Sequence, residues 1–471
     1  MIDLKDLRAH PDKYRTGLAN KGYPPDLADR LLAVDAELRP LITRREQLVA
    51  EKNQIGKRIG QLAGKLKKAP ADQRAALEQE MQDLKARPDA LKQEEASLAD
   101  RVTALESDRD TLWLRIPQPA APDVPVGKSA DDNVQLSTWN PDGFDPAKSF
   151  AQNKGFAPKT HIELGKALGL FDFERGVKMA GSRSYVLTGD GMRLHQAVLR
   201  FAFDFMTQDN GFTPLSVPVV VRDECMVGTG FFPDGKDQAY EVKETDRGGG
   251  YDLYLTGTGE VGLMGYHQGE VLDADRLPLC YTTVSTCFRR EAGAAGKDTA
   301  GLFRVHQFDK VEQVVICEAG EQASRGWHKK MIGFVEELLQ RLELPYRLLQ
   351  CCTGDLGTKN ADMIDIESWM PGRGPDDADG NPTGEYGETH SASRLYDYQC
   401  RRLNLRYRDP NTKKPVFCHS LNNTVAASPR ILVPILEMYQ NADGSITVPT
   451  ELRPYMNGQE RIEKAGCLPR R

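Results

Sequence analysis

The first quarter of the chain carries two long ladders of apolar side chains. Within each ladder the apolar residues recur at alternating intervals of four and three, the spacing that aligns them on one face of an α-helix. The first ladder comprises Leu27, Leu31, Val34, Leu38, Leu41, Leu48, Ile55, Ile59, Leu62 and Leu66. The second ladder comprises Leu77, Met81, Leu84, Leu91, Leu98, Val102, Leu105, Leu112 and Ile116. Because only a short turn around Ala69 and Pro70 separates them, we predict an antiparallel two-helix coiled-coil arm at about residues 27–116, roughly 60 Å long.

Two prolines, Pro40 and Pro88, fall inside the predicted helices. Proline lacks the N–H of a helical hydrogen bond and its ring clashes with the preceding turn. We therefore expect each proline to kink its helix or to break it locally. The sequence offers no reason why the two prolines are tolerated.

The turn end of the arm is basic. No acidic residue lies between Glu51 and Asp72, and glycines recur there at every fourth position, which leaves one side of the helix without side chains. The basic residues that we assign to this tip are Lys57, Arg58, Lys65, Lys67 and Lys68. Positive charge beside bare backbone suits close approach to a phosphate backbone. The alternative is an ordinary solvated helix face.

A proline-rich linker at residues 117–127 follows the arm. We therefore divide the chain into an N-terminal domain, residues 1–118, and one large catalytic domain, residues 119–471. The net charge of −6 means that a nucleic-acid partner must be met by a local basic patch.

Localisation is predicted from cysteines and hydropathy. Nine cysteines without a CxxC spacing favour a reduced, cytoplasmic compartment and indicate neither a disulfide framework nor a structural zinc site. The N-terminus lacks the apolar core of a signal peptide, and no stretch approaches the roughly 18 apolar residues of a membrane span. We therefore expect no membrane partner.

Residues 281–313 form two apolar, β-branched-rich runs joined by a loop that holds Gly293, Gly296 and Gly301, a pattern that predicts a long-looped antiparallel hairpin. Since alternate side chains share a face of a strand, one face should collect a set of charged and aromatic groups. That set is Cys287, Arg289 and Glu291 on the first strand and Arg304, His306, Phe308, Lys310 and Glu312 on the second. Such a face is costly to bury and suggests a ligand.

A nucleotide fits this spacing. Phe308 offers a flat apolar surface for a base, and the two arginines offer planar forks for phosphate oxygens. Glu312 lies about 13 Å from Phe308 along an extended strand, where it could hold a cationic group. A solvated hairpin face with cross-strand ion pairs is the alternative.

The string Phe288-Arg289-x-Glu291, a glycine-bearing loop, then Phe303-Arg304-x-His306-Gln307-Phe308-x-Lys310-x-Glu312 resembles motif 2 of the class II aminoacyl-tRNA synthetases, and within that class the seryl-tRNA synthetases. The resemblance implies an α+β catalytic domain with an antiparallel sheet flanked by helices. It also implies ATP binding by Arg289, Glu291, Arg304, Val305 and Phe308, and serine binding by Arg289 and Glu312.

Two further segments resemble the same family. An amphipathic helix through Leu194 and Phe205, followed by residues 211–218 and a strand at residues 219–221, resembles motif 1, which implies a homodimer. Thr258-Gly259-Glu260 resembles the Thr-Ala-Glu segment of the serine-binding loop, with glycine in place of alanine. Thr258 and Glu260 are therefore expected in the amino-acid pocket.

Glu388 and Ser391 match the residues that hold the ATP-bound metal in this family. A carboxylate and a hydroxyl suit Mg²⁺, which prefers oxygen ligands. Arg394 and Leu395 depart from the Asn and Cys that are usual there. His390, without a His or Cys partner nearby, is predicted to be a packed or surface residue. Residues 372–384 are predicted to be a flexible polar insertion.

Ser428 and Pro429 suit the N-cap and first position of a helix, so we predict a helix start with Arg430 in its first turn. The helix dipole would add to the positive charge of Arg430 and favour an anion. This segment resembles motif 3, which implies that Arg430 binds the γ-phosphate of ATP. Asn422 and Thr424 match serine-side-chain contacts, and Asn423 replaces a usual glycine.

Taken together, the resemblance implies a ligase that forms seryl-adenylate from L-serine and ATP with Mg²⁺. Arg289, Glu291 and Arg430 would be the catalytic residues. The seryl group would pass to tRNA(Ser), held by the arm, and in this family also to tRNA(Sec) where it is present. Two alternatives remain: an enzyme that loads an amino acid onto a carrier protein, and a catalytically inactive RNA-binding relative.

Overall fold

The apolar ladders form two long helices, as predicted. The computed structural model describes residues 1–292, 298–378 and 380–464, with the backbone alone at residues 71, 86 and 88–90. Gly293 and Gly296 of the predicted hairpin loop, residue 379 of the insertion and the side chain of Pro88 lie outside the described residues. The chain separates into two units, one made of Asp3–Ala19 and Tyr23–Ile116 and the other of Met1–Ile2, Asn20–Gly22 and Pro117–Arg471.

The N-terminal helices are α1 (Leu4–Ala9), α2 (Pro11–Asn20), α3 (Asp26–Leu66) and α4 (Ala71–Arg115). Helices α3 and α4 pack against each other through the two ladders, with Leu38, Val102 and Leu105 buried in a shared core. Arg101 of α4 pairs with Glu37 near one end, and Arg44 pairs with Glu94 at 2.7 Å further along. Residue numbers rise along α3 while the numbers of their partners on α4 fall, so the two helices run antiparallel. This confirms the predicted coiled coil.

Pro40 does not break α3. The helix is continuous from Asp26 to Leu66 with Pro40 inside it. The proline removes the N–H that would bond the carbonyl of residue 36, but packing along the ladder keeps the helix intact on both sides. The local helix break that we expected as one possible effect of Pro40 therefore does not occur.

The second unit is built on one large sheet flanked by helices. Its helices are α5 (Phe150–Lys154), α6 (His161–Leu168), α7 (Phe173–Ala180), α8 (Asp190–Asp204), α9 (Asp223–Gly228), α10 (Glu260–Gly265), α11 (Glu321–Arg341), α12 (Tyr398–Arg402) and α13 (Leu432–Met438). Its strands are β1 (Val134–Trp139), β2 (Phe171–Asp172), β3 (Val186–Leu187), β4 (Thr213–Pro214), β5 (Val220–Arg222), β6 (Tyr240–Val242), β7 (Leu253–Leu255), β8 (Val271–Asp273), β9 (Leu279–Phe288), β10 (Gln307–Cys317), β11 (Tyr346–Gln350), β12 (Asp362–Met370), β13 (Glu385–Arg394), β14 (Arg406–Arg408), β15 (Pro415–Phe417), β16 (His419–Ser428), β17 (Ile446–Thr447) and β18 (Arg461–Ile462).

Eight strands form the main sheet in the order β1, β11, β12, β13, β16, β10, β9, β4. All neighbours are antiparallel except β4 and β9. Helices α8 and α11 bury apolar faces in the core, through residues such as Val198, Phe201, Val335 and Leu339. This is the antiparallel sheet with flanking helices that the resemblance implies.

The motif 1 segment is divided between two sheets. Helix α8 includes Leu194, and β4 joins the edge of the main sheet beside β9. The predicted strand at residues 219–221 corresponds to β5, which pairs with β7 in a separate three-stranded sheet. The predicted helix is therefore correct, and the strand after it does not extend the main sheet.

The hairpin is shorter than predicted. Strand β9 ends at Phe288, which pairs with Gln307 at the start of β10. Arg289, Glu291 and Arg304 therefore lie in the connecting segment, and Glu291 has a left-handed backbone with φ of 51°. Strand alternation explains the common face of the later residues on β10, but it does not explain the positions of the two arginines.

Strands β13 and β16 each contain an extra residue that resets the alternation. In the pairing of β12 with β13, Ile366 faces His390 and Glu367 faces Glu388, which leaves Thr389 as the extra residue. In the pairing of β10 with β16, Val425 is skipped in the same way. An extra residue of this kind inverts which side chains share a face.

The predicted helix start at Ser428 is wrong. Ser428 is the last residue of β16, paired with Asp309, and its Oγ lies 2.8 Å from Nδ1 of His195. Helix α13 begins only at Leu432, so Arg430 lies in the turn that connects strand and helix. Ladder pairing holds Ser428 in the sheet, and this competes successfully with its preference for a helix cap.

Candidate active site

A cavity of about 360 Å³ lies against strands β10, β12, β13 and β16. All of the predicted site residues of the catalytic unit line it except Glu312, which is fully buried behind its partners. The predicted residues on its wall are Thr258, Glu260, Arg289, Glu291, Arg304, Val305, Phe308, Glu388, Ser391, Asn422, Thr424 and Arg430. The cavity therefore brings together segments that are far apart in the sequence.

Arginines gather at one end of the cavity. The guanidinium of Arg289 lies over the Phe308 ring, 5.3 Å from its centroid. Arg304 lies 3.3 Å from a carboxylate oxygen of Glu291. Arg430 donates hydrogen bonds to two main-chain carbonyls, those of Phe303 at 3.0 Å and Glu388 at 3.1 Å. We call Arg289, Arg304 and Arg430 the arginine end.

The electrostatics of the arginine end favour an anion. Burial lowers the pKa of the Arg430 guanidinium; Glu388 opposes this shift, while the charges of Arg289 and Arg304 lower the pKa further. Burial is the main cause of the lowered pKa, and the two neighbouring arginines add a smaller repulsion to it. A polyanion bound among these side chains would relieve that repulsion.

An acidic wall borders the arginine end. Burial raises the pKa of Asp365 to about 8, and the nearby carboxylates of Glu388 and Asp355 add to the shift. Oδ1 of Asp365 has no hydrogen-bond partner among the described residues. The extra residue Thr389 brings Glu388 and Ser391, three positions apart, to the same cavity. This oxygen donor set fits a hard divalent cation such as Mg²⁺.

Sequence reasoning missed Asp355 and Asp365 as wall residues. Asp365 is paired with Ser391 on the neighbouring strand, so the prediction that Ser391 lines the cavity could also have identified Asp365. Asp355 lies on the loop after β11, where no periodicity indicates a direction. Cys351, Asp355 and Asp365 place their donor atoms within 4.8 Å of one another.

The opposite end of the cavity is built around Glu260. Its carboxylate is ion-paired with Nζ of Lys359 and accepts a hydrogen bond of 2.8 Å from Nε2 of Gln399. Glu260 is only 1% exposed, so its charge depends on these partners. Lys359 was not identified from the sequence, because it lies on an irregular loop outside every motif.

Glu312 is paired in a similar way. Lys310 forms an ion pair with it, Thr258 Oγ1 donates to Oε2 at 3.0 Å, and Asn422 Nδ2 donates to Oε1 at 3.2 Å. Nζ of Lys310 also lies 2.8 Å from Thr258 Oγ1. We call the pairs Glu260–Lys359 and Glu312–Lys310, together with Thr258, Asn422 and Thr424, the paired end.

Gly259 has a steric explanation. A Cβ atom at this position would lie 2.5 Å from Cγ2 of Thr283 and 2.9 Å from Oγ of Ser285. Both contacts are closer than van der Waals packing allows. The side chains of the neighbouring strand therefore fill the space that an alanine would need.

The other departures from the family pattern point away from the cavity wall. Arg394 is fully buried and pairs with Glu321 at 2.7 Å and Asp362 at 3.2 Å. Asn423 donates to the carbonyl of Met331 on α11 at 3.1 Å. His390 is packed as predicted, and burial lowers its pKa to about 3, which keeps the ring neutral.

The basic tip is exposed in the N-terminal unit. Lys57, Arg58, Lys65, Lys67 and Lys68 all face solvent, and Arg58 pairs with Glu80 at 2.7 Å. The glycines beside them face open space. Across the described ranges, no helix has both the length and the apolar character needed to cross a bilayer, and the eight cysteines described there are free thiols.

Comparison with known proteins agrees with this arrangement. Residues 240–439 match the tRNA synthetase class II core domain (G, H, P, S and T), and residues 1–117 match the seryl-tRNA synthetase N-terminal domain. The serine–tRNA ligase of Deinococcus radiodurans is 43% identical over 98% of each chain.

Two solved structures also resemble this chain. Seryl-tRNA synthetase from Pyrococcus horikoshii, complexed with ATP, has a TM-score of 0.82 and 36% identity, covering 99% of this chain and all of that one. Cytoplasmic serine–tRNA ligase from Naegleria fowleri, in complex with AMP, has a TM-score of 0.78 and 30% identity, covering 97% and 96% of the two chains. The chain therefore belongs to the serine–tRNA ligase family of class II aminoacyl-tRNA synthetases.

Proposed function

We propose that this chain activates L-serine with ATP as seryl-adenylate and transfers the seryl group to tRNA(Ser), and also to tRNA(Sec) where that tRNA is present. The observation that carries the proposal is that one cavity joins the arginine end to the paired end. The arginine end can bind a triphosphate, and the paired end can bind a small zwitterion that carries a hydroxyl. The names of the relatives and the ATP complex of one of them support the same substrates.

ATP would bind across the arginine end. Its adenine would stack on Phe308, sharing the ring face with the guanidinium of Arg289. Its phosphates would replace the main-chain carbonyl partners that Arg430 now has and would contact Arg304 beside its ion pair with Glu291. Glu291 and Val305 border the same space. Glu388 and Ser391 would hold Mg²⁺, which when bound offsets phosphate charge.

Serine would bind at the paired end. Its ammonium would be drawn to the Glu312 carboxylate, whose partners Thr258, Lys310 and Asn422 line the cavity. Its hydroxyl would meet Glu260, Thr424 and Asn422. Its carboxylate would point toward Arg289, which brings it close to the α-phosphate of ATP.

The chemistry requires positioning and charge stabilisation rather than a protein nucleophile. The serine carboxylate attacks the α-phosphorus in line, and pyrophosphate leaves while Arg289 and Arg430 stabilise the charge that develops on the phosphate oxygens. Glu291 orients Arg304 through their ion pair. A terminal hydroxyl of the tRNA then attacks the carbonyl carbon of seryl-adenylate, so that an ester bond forms, the acyl–phosphate bond breaks and AMP leaves.

We assign tRNA binding to residues 1–118 and adenylate formation to residues 119–471. The exposed basic tip offers point charges to a phosphate backbone, and the adjoining glycines permit close approach. We also propose a homodimer through the motif 1 region, α8 to β5, and a cytoplasmic localisation, which the free thiols support.

Two assays test the proposal together. Serine-dependent ATP–pyrophosphate exchange reports adenylate formation, and charging of tRNA reports the transfer. We expect both activities. Exchange without charging would indicate the carrier-protein alternative, and the absence of exchange would indicate an inactive relative.

The arm is tested by charge reversal at Lys57, Arg58, Lys65, Lys67 and Lys68 to Glu. We expect normal exchange with strongly reduced charging, because the substitutions remove phosphate contacts and introduce repulsion. Each lost contact should also reduce the slope of log affinity against log salt by about 0.9, or less for single strands. A matched control reverses Lys85 and Lys92, which are exposed on α4 outside the tip. Equal charging by the tip variant and the control would contradict the role of the tip.

A further inference from the structure

Lys359 is held at the paired end by an anchored loop. The loop between β11 and β12 is fixed on both sides of this residue, since Nζ of Lys21 donates to the carbonyls of Gly357 at 2.9 Å and Asn360 at 2.6 Å. The side chain of Asn360 donates to Ser393 Oγ on β13 at 2.8 Å. The backbone at Lys359 therefore has little freedom to move.

The side chain of Lys359 is equally constrained. Its Nζ lies 4.3 Å from the centroid of the Phe231 ring and forms the ion pair with Glu260. The side chain is 14% exposed and lines the cavity. The ring and the carboxylate therefore fix the direction of the ammonium group.

Glu260 is held on its other oxygen by Gln399. The orientation of the Gln399 amide is itself determined, because its Nε2 also donates to the carbonyl of Thr229 at 2.9 Å and its Oε1 accepts from Ser420 Oγ at 2.9 Å. One oxygen of Glu260 faces Lys359 and the other faces Gln399. A carboxylate fixed in this way has one orientation and keeps lone pairs free to accept a hydrogen bond from a hydroxyl.

We propose that Lys359 is a positioning residue for serine specificity, which acts by holding the Glu260 carboxylate oriented toward the substrate hydroxyl. The inference deepens the proposed function and rests on it. Without Lys359, a carboxylate that is 1% exposed loses its only ion-pair partner among the described residues. The carboxylate would then rotate toward other partners, and the acceptor for the hydroxyl would be misplaced.

Steady-state pyrophosphate exchange tests this proposal with Lys359→Met and Lys359→Arg. For Lys359→Met we expect the KM for serine to rise on the order of 10- to 100-fold and the preference for serine over alanine to fall by a similar factor. The KM for ATP should stay near the wild-type value. Lys359→Arg keeps the charge and should recover part of the serine preference.

A double-mutant cycle with Glu260→Gln tests whether Lys359 acts through Glu260. In the Glu260→Gln background, Lys359→Met should have little further effect on the KM for serine, because the group that it positions has already lost its charge. This double variant also removes the unpaired buried charge, so it provides a folded protein if Lys359→Met is unstable.

Three results would overturn the proposal: an unchanged serine preference in Lys359→Met, a lower KM for serine in that variant, or full additivity in the cycle. Failure of the proposed function would look different, since the wild-type protein would then show no serine-dependent exchange.

Discussion

The two ends of the cavity use charge in opposite ways. At the arginine end, three guanidinium groups crowd together, and two partners of Arg430 are neutral main-chain carbonyls. At the paired end, each of the two buried carboxylates already has a lysine. At the arginine end, a negatively charged ligand would therefore offset the positive charge. The paired end is balanced internally, so it must select its ligand by hydrogen-bond geometry and desolvation.

Removing a charge at the arginine end should have the largest effect. Arg430→Ala and Arg289→Ala each delete a contact that strengthens as pyrophosphate leaves, so we expect exchange to fall on the order of 10²-fold or more. Arg430→Lys serves as the matched control, because it keeps the charge but loses the planar fork. Wild-type exchange in both alanine variants would refute the assignment of this end to ATP.

The acidic wall that borders the arginine end should make stability depend on pH. The folded-state pKa of Asp365, about 8, exceeds the ordinary value of 3.8, so the folded protein binds more protons than the unfolded chain between these pH values. Stability should therefore fall as pH rises from about 4 to 8. Relative to wild type, Asp365→Asn should gain stability above pH 8 without divalent ions.

Chemical denaturation at several pH values checks this prediction. The pH-dependent part of the difference in unfolding free energy between wild type and Asp365→Asn should vanish below about pH 3, where the carboxyl is protonated in both states. A difference that is constant with pH would show that ionisation of Asp365 carries no cost.

Packing behind the paired end gives a smaller effect. Gly259→Ala places a methyl group against Thr283 and Ser285, and we expect a loss of about 1–2 kcal/mol in unfolding free energy. Thr283→Ser removes the closer methyl contact and should restore part of that loss in the double variant. Thermal denaturation of the four proteins in this cycle measures the coupling, and additive effects would contradict the steric explanation.

The smallest effect is expected in the specificity of the paired end. A pocket that hydrogen-bonds a hydroxyl rejects alanine because alanine leaves buried polar groups unpaired. Thr424→Val removes one such group at similar volume, so the preference for serine over alanine should narrow by about 10-fold. Exchange rates with both amino acids measure it. Equal use of serine and alanine by the wild-type protein would refute the choice of substrate.

The sequence correctly predicted those elements that show a regular periodicity or a local motif. The coiled coil follows from the heptads, and α8 follows from its apolar face. The main errors fell where two local preferences compete. Arg289 was placed on a strand that ends one residue earlier, and Ser428 was placed at a helix start although it remains in the sheet. Lys359 carried no signal, because it reaches Glu260 from a loop distant in sequence.

The two extra residues, Thr389 and Val425, make the cavity sensitive to chain length. On β16, Asn422 and Thr424 line the cavity from even positions, whereas Ala427 lines it from an odd position beyond the skipped residue, followed by Pro429 in the turn after the strand. The side chains of β16 therefore face the cavity at even positions before Val425 and at odd positions after it. An apolar substitution of similar size at Val425 keeps both groups of side chains facing the cavity, but a one-residue deletion there would turn one group away from it. Insertions or deletions in this segment should therefore reduce activity far more than substitutions do. If the segment is grafted into another protein, the extra residue must be kept with it.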